Sequence, residues 1–217
     1  MTTRQLNDND SPAAVSGTAP AAGKDYDPEG GQALYLRLMT QRLIGWDDPR
    51  AVLQRALDTD QFMLLAQKVL AVKSGASEPQ CYEVLLRLKQ EEDNLLPPGG
   101  FLDVAESVGM MEEIDRWVLR TLLSWGASRL KFNPAWRPPM MCVNVSTAAL
   151  DNPVFTNLVR DELSHSGFPP RALCFEIDER DIIEHHGSVQ RFVAAVKPGC
   201  RIMVDGVVVW GIVNGPT

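Results

Sequence analysis

From residue 62 onward, the chain alternates between segments with the apolar spacing of strands and segments with the spacing of helices. Short runs that are apolar at most positions predict strands, whereas apolar residues three and four positions apart predict amphipathic helices. The predicted strands cover residues 62–70, 82–88, 140–145, 173–177 and 201–205. The last three are apolar at successive positions, which is typical of strands covered on both faces. Strands that alternate with helices predict βαβ units and a parallel sheet.

The helices between these strands are delimited by glycine and proline. Residues 101–126 are predicted to be helical, with a break near Gly109 and an end at Gly126. A second helix begins at Pro153 and stops at Gly167, and residues 189–196 form the apolar face of a third. Each of these helices therefore connects two predicted strands.

The chain ahead of the first strand divides into a polar arm and two short helices. Residues 1–31 are rich in Ala, Pro, Gly, Asp, Asn, Ser and Thr without apolar periodicity, which predicts a disordered arm or linker. Residues 33–44 predict one helix, and Asp48 followed by Pro49 predicts the start of the next. We therefore expect one domain over residues 32–217.

Acidic residues outnumber basic ones, 28 to 21, which gives a net charge of −7. This balance argues against binding to nucleic acid polymers or anionic lipid, since both select surfaces dense in lysine and arginine. No apolar stretch approaches the ~20 residues that span a bilayer, and the amino terminus has no signal-peptide core. We expect no membrane insertion and a cytoplasmic location. The four cysteines lack a CxxC pair, which argues against a zinc site. Cys81, Cys142 and Cys174 lie inside or beside apolar runs, as reduced buried cysteines often do.

Four polar residues interrupt strands that are otherwise apolar: Glu83, Asn144, Glu176 and Asp205. An unpaired carboxylate is costly to bury, so these residues need a shared partner. In a β/α barrel the carboxyl ends of the strands meet at one rim, where residues distant in sequence converge. Oxygen ligands of this kind favour Mg²⁺, Mn²⁺ or Ca²⁺ over zinc. The alternative is that each side chain separately caps a helix or pairs with a surface arginine.

The segments around these residues form an ordered set of motifs. They are Glu83-Val84-Leu85-Leu86-Arg87, FLDVAESVGMM at 101–111, IDRWVL at 114–119, Val143-Asn144-Val145-Ser146 and Glu176-Ile177-Asp178-Glu179, with Gln67 ahead of them. Their order and spacing over residues 53–205 resemble those of the EAL-domain family of cyclic di-GMP phosphodiesterases. That family has Glu-Ala-Leu followed by Leu-Arg at its signature, and its first strand carries a Tyr-x-Gln-Pro-Ile segment.

The resemblance implies a TIM-type β/α barrel that acts in signal transduction by hydrolysing one phosphodiester bond of cyclic di-GMP to a linear dinucleotide. It implies that Mg²⁺ or Mn²⁺ serves as cofactor and that Ca²⁺ inhibits. The implied metal ligands are Glu83, Asn144, Glu176 and Asp205, of which Glu83 and Asp205 are the candidates for holding a catalytic metal. The implied dinucleotide contacts are Gln67, Leu85 and Arg87, with Arg87 suited to a charged fork on phosphate.

The chain departs from the family directly after Asp205. The family has Asp-Asp-Phe-Gly there, whereas Gly206 follows Asp205 here, so the second carboxylate is absent. Residues 207–217 contain no counterpart of the family's later lysine, glutamate and glutamine. We therefore expect an incomplete barrel of about five of the eight strands, truncated after the fifth. The apolar residues 207–213 are either a substitute strand or out-of-frame sequence, which leaves open a natural short form and a truncated or frameshifted product.

Three functions are compatible with these observations. One is an EAL-like signalling domain with impaired catalysis that binds cyclic di-GMP. Another is an interaction domain that forms a homodimer or binds a protein partner, because an incomplete barrel has open strand edges that invite pairing. The alternative is an active metal-dependent phosphodiesterase, which needs the missing groups to come from elsewhere.

Overall fold

The computed structural model of the protein describes residues 45–69, 80–89 and 95–205. The expected disordered arm at 1–31, the helix at 33–44 and the apolar residues 207–213 lie outside the described residues. A domain that begins at residue 32 therefore stays a prediction. None of the described helices is long and apolar enough to cross a bilayer.

The described strands form one sheet. They are β1 (Phe62–Val69), β2 (Cys81–Lys89), β3 (Leu95–Leu96), β4 (Met140–Asn144), β5 (Leu173–Asp178) and β6 (Arg201–Asp205). The spatial order is β1-β2-β4-β5-β6, and the two-residue β3 pairs with the end of β2. All five predicted strands are present, whereas β3 was not predicted. In the described part of the chain the sheet is open at β1 and β6, in agreement with an incomplete β/α barrel.

Strand direction differs from the prediction at the first pair. β2, β4, β5 and β6 are parallel to one another, but β1 and β2 are antiparallel, with Leu65 opposite Leu85. The prediction of a wholly parallel sheet was wrong for β1. A parallel connection needs about a dozen or more residues, usually with a helix, and the connection between β1 and β2, residues 70–80, is shorter than that.

The described helices either precede β1, as the first does, or lie in the connections from β3 onward. They are α1 (Pro49–Asp58), α2 (Leu102–Ser107), α3 (Met111–Phe132), α4 (Thr147–Asp151), α5 (Pro153–Ser166), α6 (Glu179–Glu184) and α7 (His186–Val196). Single 3₁₀ turns, Pro98–Gly100 and Pro170–Ala172, precede α2 and β5. The connection from β4 to β5 thus carries two helices in series, where the sequence pattern predicted one.

Most predicted helix ends are confirmed by their backbone chemistry. The Asp48 carboxylate accepts a hydrogen bond from the Ala51 amide at 3.0 Å, which caps α1. Gly109, between α2 and α3, has a φ of 67°, and Gly167, after α5, has a φ of 73°. These left-handed conformations suit glycine because it has no Cβ, so both residues end a helix as predicted.

The predicted helix end at Gly126 is wrong, because α3 continues to Phe132. Gly126 is buried inside the helix, and a Cβ built there lies 2.4 Å from Cδ2 of Phe168. Glycine is therefore explained at this position by the close approach of the Phe168 ring to the helix backbone and not by a turn.

Apolar clusters cover both faces of the sheet. On the helix side the largest cluster includes Phe175 of β5, whose ring meets Phe192 of α7 edge-on at 5.2 Å. A second cluster lies where α1 to α3 cover β1 and β2. The opposite face carries a small cluster of Cys142, Cys174 and Met203. Burial on both sides explains why β4 and β5 are apolar at successive positions.

Candidate functional site

The face of the sheet opposite the helices, which we call the inner face, carries all of the predicted site residues. Gln67 pairs with Glu83 across β1 and β2, and Asn144 pairs with Glu176 across β4 and β5. Since paired residues point to the same side and side chains alternate along a strand, register places residues on a face. The residues that share the inner face are Gln67, Glu83, Leu85, Arg87, Asn144, Glu176 and Asp205.

The predicted metal ligands lie at different heights on this face. Glu83 pairs with Cys142, one step toward the amino ends from the Asn144–Glu176 pair. Asp205 pairs with Asp178, one step in the other direction. Glu83 is near the start of β2, which runs on to Lys89 because it also pairs with β1 and β3. The ligands therefore follow a diagonal across the sheet, and Glu176 lies in its middle.

Glu176 is a buried carboxyl group among other carboxylates. Its side chain is 3 % exposed, and its Oε1 atom has no hydrogen-bond partner among the described residues. Burial, and then the negative charges of Glu83 and Asp205, raise the pKa of Glu176 to about 7. These charges act on Glu176 because the three strands place the carboxylates near one another. Unless a cation compensates the charge, Glu176 therefore keeps its proton to a higher pH than an exposed glutamate does.

Asn144 and Asp205 are exposed at the carboxyl ends of their strands, in contrast to Glu176. The backbone after Asn144 is fixed on both sides. The Val145 amide donates to the Glu176 carbonyl at 3.1 Å, and the Ser146 amide donates to Asp115 Oδ2 at 2.9 Å. The Asn144 side chain therefore lies at the rim, directly before two hydrogen-bonded backbone amides.

The predicted dinucleotide contacts lie on β1 and β2. Gln67 is exposed, and Leu85 and Arg87 are half-buried. The Arg87 Nη1 atom donates to the Leu86 carbonyl oxygen at 2.7 Å, so the guanidinium lies along its own strand. These three side chains lie on one face. The amide and the apolar side chain are suited to contact a base, and the guanidinium is suited to a phosphate through charged hydrogen bonds.

The chemistry of this face fits a hard cation. Carboxylate and amide oxygens are the ligands of Mg²⁺ and Mn²⁺, and the unpaired Glu176 oxygen beside two further carboxylates is a group that a cation would stabilise. In residues 45–69, 80–89 and 95–205, the side-chain conformations bring no three His, Cys, Asp or Glu groups close enough together to hold a metal ion. Binding therefore requires side-chain rotation, for which the exposed Asn144 and Asp205 have room.

A layer of sulfur lies beneath the carboxylates. The Sγ atoms of Cys81 and Cys142 are 3.4 Å apart, and Cys142 packs against Cys174 and Met203. Burial, and then the hydrogen bond to Cys142, raise the pKa of the Cys81 thiol to about 12. All four cysteines are free, and Cys81 alone among them is not fully buried. Cys142 and Cys174 are buried as expected, and the layer is an apolar floor beneath the carboxylates.

Sequence reasoning missed two aspartates near the site. Asp178 pairs with Asp205, but its carboxylate accepts from the Arg180 amide at 2.8 Å and caps α6. It lies two residues after Glu176, so strand alternation could have placed it on the same face. Asp115 of α3 contacts Ser146 from a different element. No local pattern in the sequence reveals that contact.

A mostly parallel, open β/α sheet with carboxylates and an amide along its inner face is the architecture of an incomplete β/α barrel with an acid-rich inner face. The chain belongs to the EAL domain family, whose model matches residues 50–209. The resemblance in the motifs is thereby confirmed.

Individual relatives include both enzymes and ligand complexes. The cyclic di-GMP phosphodiesterase PdeF of Escherichia coli K12 is 29% identical over 154 residues, which are 70% of this chain and 20% of PdeF. The FimX EAL domain from Pseudomonas aeruginosa bound to c-di-GMP is 30% identical, with a TM-score of 0.64 over 72% of this chain and 61% of that one. The PaMucR phosphodiesterase in complex with c-di-GMP is 26% identical, with a TM-score of 0.59 over 71% of this chain and 61% of that one.

The chain spans only part of these relatives. It covers 20% of PdeF and 61% of the FimX EAL domain. Their names describe activities and ligands of longer proteins.

Proposed function

We propose that the chain is an EAL signalling domain that binds cyclic di-GMP and whose hydrolytic activity is impaired. The observation that carries the proposal is the common inner face of the metal-ligand and dinucleotide-contact positions, with buried Glu176 between the Asn144 and Asp205 strands. The complexes of the FimX EAL domain and PaMucR with c-di-GMP support the choice of ligand.

In this proposal the dinucleotide lies across β1 and β2 at the rim. The Arg87 guanidinium leaves the Leu86 carbonyl and donates to a phosphate, because a charge-assisted hydrogen bond is stronger than one to a neutral carbonyl. Leu85 packs against a base, and the exposed Gln67 amide hydrogen-bonds to the ligand. These contacts need no bond cleavage, so they are compatible with an impaired enzyme.

Glu83, Asn144, Glu176 and Asp205 would hold Mg²⁺ or Mn²⁺. When bound, such an ion polarises a phosphate oxygen and lowers the pKa of a water molecule. Glu176 must give up its proton to act as a ligand, and burial together with the neighbouring carboxylates raises its pKa to about 7. Cation binding is therefore expected to strengthen as the pH rises through 7.

Impaired hydrolysis follows from the residue after Asp205. Gly206 has no side chain, so it supplies no second carboxylate next to the first. A second cation would lose an anionic ligand at that position. The first four ligand positions remain occupied by oxygen-bearing side chains, and these support ligand binding through a single cation.

Calorimetry and a turnover assay test the proposal together. Cyclic di-GMP is titrated into the chain with Ca²⁺ present, and Mg²⁺ and Mn²⁺ reactions are analysed for the linear dinucleotide by chromatography. We expect binding without product. Arg87→Ala should weaken binding by roughly tenfold or more, the magnitude of one charged hydrogen bond, whereas Arg160→Ala, an exposed arginine on α5, should bind as the parent does. Linear product would establish the active phosphodiesterase instead, and an absence of heat would rule out the binding function.

Association through strand edges is a second candidate function. In the described part of the chain β1 pairs only with β2, and β6 pairs only with β5. An open edge can pair with another chain, including a second copy of this one. Sedimentation at several concentrations tests this, since a mass that stays monomeric throughout excludes the homodimer.

A further inference from the structure

Asp115 joins a helix to the strand end that carries Asn144. It lies in the second turn of α3, and its Oδ2 atom accepts a hydrogen bond from the Ser146 amide at 2.9 Å. Ser146 is two residues beyond Asn144 and precedes α4. The two residues are 31 positions apart, so this is a tertiary hydrogen bond and not part of a local turn.

The Asn144 side chain depends on its backbone for orientation. It is exposed and makes no hydrogen bond to any described residue. The next two amides are both held, Val145 by the Glu176 carbonyl at 3.1 Å and Ser146 by Asp115. If the Ser146 amide lost its acceptor, the two backbone amides after Asn144 would keep only the bond from Val145 to β5. The next hydrogen bonds along the chain start one residue later, at the Thr147 hydroxyl, which donates to Asp181, and in the first turn of α4. The direction of the Asn144 amide would then vary with the backbone.

A second hydrogen bond to α3 is made at the other end of α4. Glu112 Oε2 accepts from Asn152 Nδ2 at 2.7 Å, and Glu112 Oε1 is paired with Arg116 at 2.6 Å. Hydrogen bonds therefore connect α3 to both ends of α4. Asp115 accepts the one next to the site, and Glu112 accepts the one away from it. In both hydrogen bonds a carboxylate of α3 accepts from an N–H group, and only the bond to Asp115 is adjacent to Asn144.

We propose that Asp115 is a positioning residue that fixes Asn144 in the orientation needed to bind a cation and the dinucleotide. The inference rests on the proposed function, because it assumes that Asn144 is a ligand. The proposal gives a residue of helix α3 a role in the site, in addition to the motif residues on the strands. The effect acts through the hydrogen bond to Ser146 and not through contact of Asp115 with the ligand.

Four proteins test this: the parent chain, Asp115→Ala, Asp115→Asn and Asn152→Ala. Mn²⁺ binding is measured by electron paramagnetic resonance, and cyclic di-GMP binding in Ca²⁺ by calorimetry. Mg²⁺ is titrated separately while the Asn144 side-chain amide is followed by NMR. Each variant is studied below its unfolding transition, located by circular dichroism, so that only folded protein is compared.

Asp115→Ala is expected to weaken Mn²⁺ binding about tenfold and to abolish the Mg²⁺-dependent shift of the Asn144 amide. Asp115→Asn keeps an oxygen acceptor for the Ser146 amide and should bind within about threefold of the parent. Asn152→Ala removes the distant hydrogen bond to Glu112 and also the cap of α5, so it should lower the unfolding temperature without weakening binding.

The outcomes separate the two proposals. A parent chain that binds Mn²⁺ and cyclic di-GMP, together with an Asp115→Ala variant that binds both equally well, overturns the positioning role alone. An Asp115→Asn variant as weak as Asp115→Ala also overturns it, since charge rather than the hydrogen bond would then matter. A parent chain that binds neither ligand overturns the proposed function, and the positioning role with it.

Discussion

Replacing Glu176 by glutamine removes a charge that the fold places in an unfavourable position. The side chain is 3 % exposed, lies beside Glu83 and Asp205 and has an unpaired Oε1 among the described residues. Glutamine has nearly the same shape and stays neutral at every pH. The substitution therefore isolates the electrostatic cost of the ionised carboxylate.

The magnitude follows from the pKa. Burial and the two neighbouring carboxylates raise the pKa of Glu176 from 4.5 to about 7 in the native state. The native protein then binds more protons than the unfolded chain between these values, so stability falls as the pH rises from 4.5 and levels off above 7. At about 1.4 kcal/mol for each pH unit, the cost of the charged form reaches on the order of 3 kcal/mol.

Urea unfolding at pH 4.5 and pH 8, in EDTA, measures this cost. We expect Glu176→Gln to be within about 1 kcal/mol of the parent at pH 4.5 and more stable than the parent by about 2 to 3 kcal/mol at pH 8. Asp115 also has a pKa raised to about 7, by burial first. Because Asp115 is present in both proteins, its contribution cancels in their difference.

Magnesium is expected to offset most or all of this difference at pH 8. A cation that binds only the native state at one hundred times its Kd adds about 2.7 kcal/mol to the parent, and Glu176→Gln should gain little. The control is Glu184→Gln, an exposed carboxylate on α6, for which changes stay within about 0.5 kcal/mol at both pH values. A stability difference between Glu176→Gln and the parent that is the same at pH 4.5 and pH 8 would refute the reasoning.

Three further substitutions test the framework of the site, each by urea unfolding. Gly126→Ala should destabilise the protein by about 1 to 3 kcal/mol, despite the better helix propensity of alanine, because the new Cβ lies 2.4 Å from the Phe168 ring; a more stable variant would contradict this. Cys142→Ser places a hydroxyl in the sulfur layer and should cost about 1 to 3 kcal/mol, so an unchanged midpoint would show that the layer accepts a polar group. Asp48→Ala removes the cap of α1 and should cost about 0.5 to 2 kcal/mol, whereas Asp48→Asn should cost less.

The sequence was most informative where local chemistry decides the structure. The cap at Asp48, the left-handed glycines 109 and 167, and the apolar strands β4 and β5 were all predicted from short segments. Such features depend on neighbours within a few positions, so a single sequence carries them. The motif order from Glu83 to Glu176 also identified the family that residues 50–209 match.

Gly126 and β1 show where local patterns were insufficient. A glycine after an apolar stripe resembles a helix end, but here it admits the Phe168 ring from another element. The strand pattern of residues 62–69 predicts an extended backbone without its direction, which depends on pairing with β2. Both errors concern contacts between segments distant in the chain.

The sequence by itself determined the candidate site residues: carboxylates, an amide and an arginine in strands that are otherwise apolar. Only the tertiary structure decided how these groups act on one another. Strand register places Glu176 between the charges of Glu83 and Asp205, and helix packing brings Asp115 to the amide after Asn144. The physical reason is that burial and Coulomb interactions depend on distances in space, which residue spacing along the chain does not specify.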